Sequence, residues 1–342
     1  MGANHDRASA SLAPPSADPL SDVLRMVKLT GALFFLVDAS SPWGVKVPSA
    51  SAFAPIILPR ARHVVSYHIV TQGCGWADLP GVAPVRFSAG DILVFPHGDP
   101  YAMLSAPGGP PALGAEASLD FFRAMAAGQL PFVVPEGGGG AERASFVCGF
   151  LGCDARPFNP LLATLPRLMH VRSPGAAQDG LLDRLIELTL AEAPLRRPGG
   201  ESIRLRLSEL IFVEVVRRYL EALPADQTGW LAGLRDPGVG RVLALLHERP
   251  AHPWTLEDLA ARTGLSRSVL AERFMRLVGQ PPMQYLIRWR MQVAARLLAD
   301  GASKVAAVAL EVGYESEAAF SRSFKKIAGV SPASWRQRSA AS

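Results

Sequence analysis

No stretch of this sequence is long and apolar enough to cross a bilayer. The longest early hydrophobic run, Leu33 to Val37, falls far short of the ~20 residues a spanning helix needs. No basic segment followed by an apolar core and a small-residue cleavage site opens the chain, so a cytoplasmic location is the expectation. Cysteine is scarce as well. Three in 342 residues, an odd number, argue against a disulfide framework and fit a reducing compartment. Gly and Pro are plentiful but without period, which excludes a fibrous chain. A phosphate-binding loop, a dinucleotide fingerprint and a Ser-His-Asp arrangement are all missing, so nucleotide-dependent and hydrolytic enzymes have no support.

What the chain does have is 49% hydrophobic residues over a length that suits two domains, and an uneven charge. From Pro237 onward there are 15 Lys and Arg against 8 Asp and Glu; before it, 20 against 22. All of the net +5 therefore sits in the last third, which marks that third as the part that meets phosphate.

Four regions follow from the patterning. Residues 1–20, rich in Ala, Ser and Pro, read as a disordered tail. Residues 21–172 carry short apolar runs broken by Gly and Pro (LTGALFFLV, HVVSYHIV, RFSAGDILVF, ASFVCGFLG), which predict an all-β barrel or sandwich, with PEGGGG from Pro135 as a flexible excursion. Residues 173–236 switch to helical periodicity. Leu181, Leu182, Leu185, Ile186 and Leu188 form one stripe, and a second helix runs from about Glu201 to Leu223. These helices are expected to pack on the β domain and to offer a homodimer face, with Pro224 to Asp236 leading onward. Residues 237–338 form an all-α module.

In that module Thr255 and Asp258 form a capping pair before one helix; Gly264-Leu265-Ser266 breaks it, and Ser266 caps a second helix with Leu270, Phe274 and Leu277 inward. This is a helix-turn-helix unit. It recurs 49–50 residues later: Gly264 as Gly313, Ser266 as Ser316, Leu270 as Phe320, Phe274 as Phe324, Gly279 as Gly329, Pro282 as Pro332. A helix over Met283–Leu298, roughly 24 Å long, would join the units, so that two reading helices could enter major-groove segments about 34 Å apart. The helical wheel turns Ser268, Ala271, Glu272 and Arg276 outward, with Arg267 in the first turn and Arg273 on the flank. In the second unit it exposes Glu317, Ala318, Ser321, Arg322, Lys325 and Lys326. Arg322 suits guanine, because a guanidinium fork can bond O6 and N7; Lys325, Lys326, Arg273 and Arg276 suit phosphate.

The segments WTLEDLAARTGLSRSVLAERFMRLVGQPPMQYLIRWRMQVAARLL and VGYESEAAFSRSFKKIAGVSPASWR closely resemble the AraC/XylS family of bacterial transcription regulators. The resemblance implies promoter DNA and RNA polymerase as partners, activation more often than repression, and base contacts from Ser268, Ala271 and Glu272 and from Glu317, Ala318, Ser321 and Arg322. The segments AGDILVFPHGDPYAM and FVCGFLGCDARPFNPLLATLPRLMHV are similar to the cupin-type sensor domain of one branch of that family. The overall fold class expected is thus a cupin-like β-barrel with a helical segment, followed by an all-α domain with two helix-turn-helix units.

A metal-dependent cupin enzyme is disfavoured, because of the four cupin ligand positions (Ser66, His68, Gln72 and Tyr101 here) only His68 is a suitable ligand. An architectural DNA protein would leave the sensor domain unexplained. Cys148 and Cys153, within CGFLGC, leave three readings open: a zinc site shared with His68 or His97, an oxidant-sensing pair, or small buried core residues. His68, Trp76, His97 and Tyr101 are candidates to line the barrel mouth and bind a small effector. His63 and His170 read as structural, and Cys74 has no evident partner.

Overall fold

The computed structural model describes residues 18–109, 114–172, 180–192, 197–224, 226–301 and 303–340. Most of the expected tail lies outside these residues. Its last two begin a helix, since the Asp18 carboxylate accepts from the Leu20 and Ser21 N–H groups and caps α1 (Pro19–Arg25).

The β domain is built from β1 (Lys28–Ser40), β2 (Gly44–Val47), β3 (His63–Gln72), β4 (Cys74–Leu79), β5 (Val82–Ser88), β6 (Ile92–Phe95), β7 (Tyr101–Leu104), β8 (Val133–Gly137), β9 (Arg143–Asp154) and β10 (Met169–Val171). Short helices α2 (Ala50–Ile57), α3 (Ala115–Ala126) and α4 (Pro160–Thr164) interrupt it. The strands form a six-stranded sheet, ordered β10-β6-β3-β9-β1-β8, and a four-stranded sheet, ordered β2-β7-β4-β5. Alternation assigns the two faces of the larger sheet. On β9, Phe146, Cys148 and Phe150 join the core between the sheets. Val147, Leu151 and Cys153 join a second core under the helices. PEGGGG is not wholly a loop: Pro135 to Gly137 end β8, which runs parallel to β1 with Ala39 opposite Glu136. Chain reversal there requires Gly137, whose φ is +98° and whose added Cβ would lie 1.9 Å from the Ser40 carbonyl oxygen.

The helical segment holds α5 (Leu181–Glu192), α6 (Gly200–Ala222) and α7 (Trp230–Arg235). Leu182 and Leu185 of α5 and Leu207, Ile211, Val215 and Val216 of α6 pack under the larger sheet. Leu181 and Leu188, assigned by periodicity to the same stripe, stay about half exposed instead, as does Leu210 of α6. The stretch leading onward is less of a connector than its composition predicts, since Trp230 is fully buried and its indole N–H donates to Tyr285 Oη at 2.9 Å.

The module after it comprises α8 (Pro237–Glu248), α9 (Leu256–Thr263), α10 (Arg267–Val278), α11 (Pro282–Ala299), α12 (Val305–Glu311), α13 (Glu317–Ala328) and α14 (Pro332–Ala340). The core under the larger sheet continues without a break through α7 and α8 to Leu270, Phe274 and Tyr285. The second helix-turn-helix unit has its own core, made by Met291, Leu298, Val308, Phe320 and Phe324. Trp230→Ala is therefore expected to destabilise the β domain and the first unit together, by about 3–5 kcal/mol. Hydrogen exchange would check this, speeding up in β9 and α10 alike and least in α13.

Candidate nucleic-acid interface and sensor cavity

Both reading helices start from the same local device. Ser266 Oγ accepts from the Val269 N–H at 3.3 Å, and Ser316 Oγ from the Ala319 N–H at 3.2 Å, so each helix begins with an aimed first turn. Leu270 and Phe274 in α10, and Phe320 and Phe324 in α13, are fully buried and set the rotation of each helix. That rotation leaves Arg267, Ser268, Glu272 and Arg276 exposed on α10 and Ala271 and Arg273 half-buried. On α13 it exposes Glu317, Ala318, Arg322, Lys325 and Lys326 and half-buries Ser321.

The basic groups divide by their partners. Arg267 pairs with Glu257 of α9, and the Arg273 guanidinium lies 3.7 Å from Asp236, whose carboxylate caps α8. Arg276, Arg322, Lys325 and Lys326 form no ion pair among the described residues. Two outward residues escape a search for polar side chains: Val269 and Met275 are 42% and 50% exposed on the same face of α10 as Glu272. The wheel that selected Glu272 marks them too, once apolar contact to a base is considered.

The joining helix α11 does more than space the units. Arg290 donates from Nε to the Pro250 carbonyl at 2.7 Å and from Nη2 to that of His252 at 2.9 Å. Its Nη1 reaches the Gly313 carbonyl at 3.4 Å. Pro250 and His252 belong to the loop before the first unit, and Gly313 is the turn of the second. One half-buried guanidinium thus ties both units to the helix between them. Gly313 allows the approach: with φ of +84°, any added Cβ would lie 2.6 Å from the Ala251 carbonyl oxygen.

In the β domain, His68 and Tyr101 come together inside the barrel. His68 Nε2 is 2.7 Å from Tyr101 Oη, and Nδ1 is 3.1 Å from Cys148 Sγ. Burial depresses the imidazole pKa to about 3, so the ring stays neutral. His68 and Cys148 line a narrow apolar cavity of about 60 Å³, bounded by β1, β9, α3 and the turn before β2. Trp76, His97 and Tyr101 are not part of its lining, Tyr101 reaching it only through its contact with His68. Trp76 projects from the outer face of β4, where its inward neighbours are Gly75 and Ala77. His97 is exposed, with Nε2 2.8 Å from the Leu165 carbonyl oxygen. His63 and His170 have structural partners, Pro96 O at 2.5 Å and the Asp91 carboxylate at 3.0 Å.

The zinc and oxidant-pair readings of Cys148 and Cys153 both fail. CGFLGC is continuous strand, not a turn, and five residues is an odd step, so the two thiols point to opposite faces of the sheet and into different cores. His68 therefore has one of them beside it and His97 neither, and no cluster of three metal-binding side chains exists among the described residues. Burial also raises both thiol pKa values, that of Cys153 to about 12, which suppresses the reactive thiolate.

Residues 18–221 match the cupin family and residues 259–338 a helix-turn-helix domain family. A Streptomyces lividans protein, an AraC-like transcription regulator by name, is 34% identical over 94% of this chain and 98% of its own. The chain belongs to the AraC family of transcription regulators. A similarly named Streptomyces antibioticus protein is 32% identical over the same shares. Among solved structures, the DNA-binding domain of AdpA, a global transcriptional factor in complex with a target DNA, is 36% identical. That match covers 31% of this chain and 95% of the other, with a TM-score of 0.30. Membership makes this a DNA-binding transcription regulator with a cupin domain ahead of its paired helix-turn-helix units. No helix among the described residues is long and apolar enough to cross a membrane.

Two outcomes test the geometry. Arg290→Met should lower affinity for a site spanning two groove segments by at least tenfold, since it removes three hydrogen bonds at about 0.5–1.5 kcal/mol each and loosens the units; titration of such a duplex measures it. Thiol labelling of the native protein should modify the exposed Cys74 rapidly and leave Cys148 and Cys153 intact, a pattern mass spectrometry resolves.

Proposed function

We propose that this regulator reads promoter DNA with two unequal helices and that its β domain senses a small molecule rather than catalysing a reaction. The functional division follows the patterning of the chain: a sensor over 21–172, a helical segment over 173–236 and the DNA-binding domain over 237–338. The observation that carries the reading is the contrast between the two outward faces. At matching positions the first helix presents Ser268, Glu272, Met275 and Arg276, and the second presents Ala318, Arg322, Lys325 and Lys326. The second helix is the anchor: Arg322 takes guanine through O6 and N7, and Lys325 and Lys326 take flanking phosphates. The first helix selects. Glu272 accepts from cytosine N4, Val269 and Met275 contact thymine methyl groups, and Ser268 and Ala271 allow close approach. Arg276 contacts phosphate there, while Arg267 and Arg273 hold the unit in shape; Glu317 and Ser321 border the Arg322 contact.

The route from sensor to reader is short. β9 lines the cavity with Phe146, Cys148 and Phe150, then runs into the loop after Asp154. There the Phe158 N–H donates to Gln292 Oε1 of α11 at 2.9 Å, Arg288 of α11 lies 4.5 Å over the Phe158 ring, and Arg156 lies 5.5 Å over Trp335 of the second unit. A ligand that shifts β9 would bias how both units meet DNA. We assign the working form as a cytoplasmic homodimer that recruits RNA polymerase. Its interface is the exposed stripe of Leu181 and Leu188 on α5 with Ile203 and Leu210 on α6, each pair seven residues apart.

Arg322→Ala should weaken specific binding by about 1–3 kcal/mol and relax preference at one base pair, as measured on a duplex selected from random sequence; an unchanged footprint and affinity would remove Arg322 from this role. Replacing thymine by deoxyuridine under the first helix should lower affinity roughly fourfold per contacted methyl, from about 0.8 kcal/mol of lost burial. Val269→Ala with Met275→Ala should make the protein indifferent to that replacement. Leu188→Glu with Leu210→Glu should shift the sedimentation profile from dimer to monomer.

A further inference from the structure

We infer that the sensor cavity is built for a small organic cation, an ammonium group carrying apolar substituents. This rests on the reading of the β domain as a sensor and adds the chemistry of what it senses. Six aromatic residues from separate parts of the chain face the cavity: Phe35 of β1, Trp43, Phe121 and Phe122 of α3, and Phe146 and Phe150 of β9. They brace one another at mixed angles, Phe35 against Phe121 at 5.3 Å, Trp43 against Phe146 at 5.1 Å and Phe122 against Phe150 at 5.4 Å between centroids. A wall this rich in aromatic rings suits a cation, because ring faces carry the negative part of the aromatic quadrupole.

The charged lining is one-sided. Among the described residues no Lys or Arg lines the cavity, and Glu136 alone brings charge to it. The other polar groups are already engaged. Ser118 Oγ donates to the Lys46 carbonyl at 2.7 Å, and the neutral His68 is held between Tyr101 and Cys148. The Glu136 side chain, by contrast, makes no hydrogen bond or ion pair with any described residue, although its backbone is locked beside Ala39 in the sheet. Partial burial raises its pKa, the mark of a carboxylate with too little water and no counter-charge. Each simple class of ligand then fares differently. An anion meets the carboxylate and the ring faces as repulsion. A neutral apolar molecule fills the space but strips more water from an unpaired carboxylate, which is unfavourable. A substituted ammonium answers both features, with its methyl or methylene groups against the rings and its charge near Glu136.

The test uses the full-length protein and calorimetric titration with tetramethylammonium, tetraethylammonium and choline. The neutral carbon analogue of choline, 3,3-dimethylbutan-1-ol, and the anion 3,3-dimethylbutanoate serve as comparisons. At least one of the ammonium ions should bind at least tenfold more tightly than the alcohol, with no measurable heat from the anion. Glu136→Gln, which keeps the shape of the side chain, should abolish the preference for cation over alcohol, and Trp43→Leu should weaken cation binding in a protein that still binds DNA. An alcohol that binds as tightly as the best cation, a preference that survives Glu136→Gln, or no binding by any of the three ammonium ions would overturn the inference. Affinity for the selected duplex, measured alongside, separates the two readings. Glu136-dependent cation binding with unchanged DNA affinity upholds the cation site and removes its sensing role; a neutral ligand that shifts DNA affinity does the reverse.

Discussion

Two short helices can read one duplex only if the angle and distance between them are held against thermal motion, and in this chain that constraint converges on Arg290. A guanidinium offers several donors in a rigid plane, so one side chain can bond carbonyls arriving from different directions. Here they arrive from the loop ahead of the first unit and from the turn of the second. The neighbouring Trp289 is buried, and the Trp335 indole N–H donates to the Ala295 carbonyl at 3.0 Å, so α11 is gripped along its length. A lysine in place of Arg290 could satisfy only part of this set. The Gly313 turn completes the fit, because only a residue without Cβ lets the second unit sit against Ala251.

The cores are distributed unequally around that joint. The apolar interior under the larger sheet runs on through Trp230 and α8 into the first unit, so the β domain and the first reading helix form one cooperative body. The second unit keeps a separate core and meets the β domain through Arg156 and Trp335. This asymmetry parallels the charge on the two faces. The unit with the separate core carries Arg322, Lys325 and Lys326, whereas the unit fused to the β domain carries the less basic surface. The first unit thus meets the β domain through packed side chains and the second through fewer contacts.

Much of the DNA-binding module is legible in the sequence alone. The Thr255–Asp258 capping box, the Ser266 and Ser316 caps and the inward Leu270, Phe274, Phe320 and Phe324 all stand where the periodicity places them. Helices encode their own ends and faces within a few residues, and the doubled unit supplied an internal control. The β domain was legible as strands and not as a site. Cys148 and Cys153 look paired in sequence yet face opposite ways, because a strand reverses its side chains at every step. His97 and Trp76 stand near cavity residues in sequence but outside the cavity in space. The aromatic wall and Glu136 come from segments as far apart as Phe35 and Phe150, each unremarkable alone.

What the sequence by itself determined is therefore local and periodic: which stretches are helices, where they begin and end, which face turns inward, and that the basic excess lies with the paired units. Those properties depend on interactions within a few residues. Which side chains share a cavity, which thiols can meet, how Trp230 joins two regions into one core and how Arg290 sets two units at a fixed angle were decided only by tertiary structure. These depend on strand order and on contacts between distant segments, which no local pattern records.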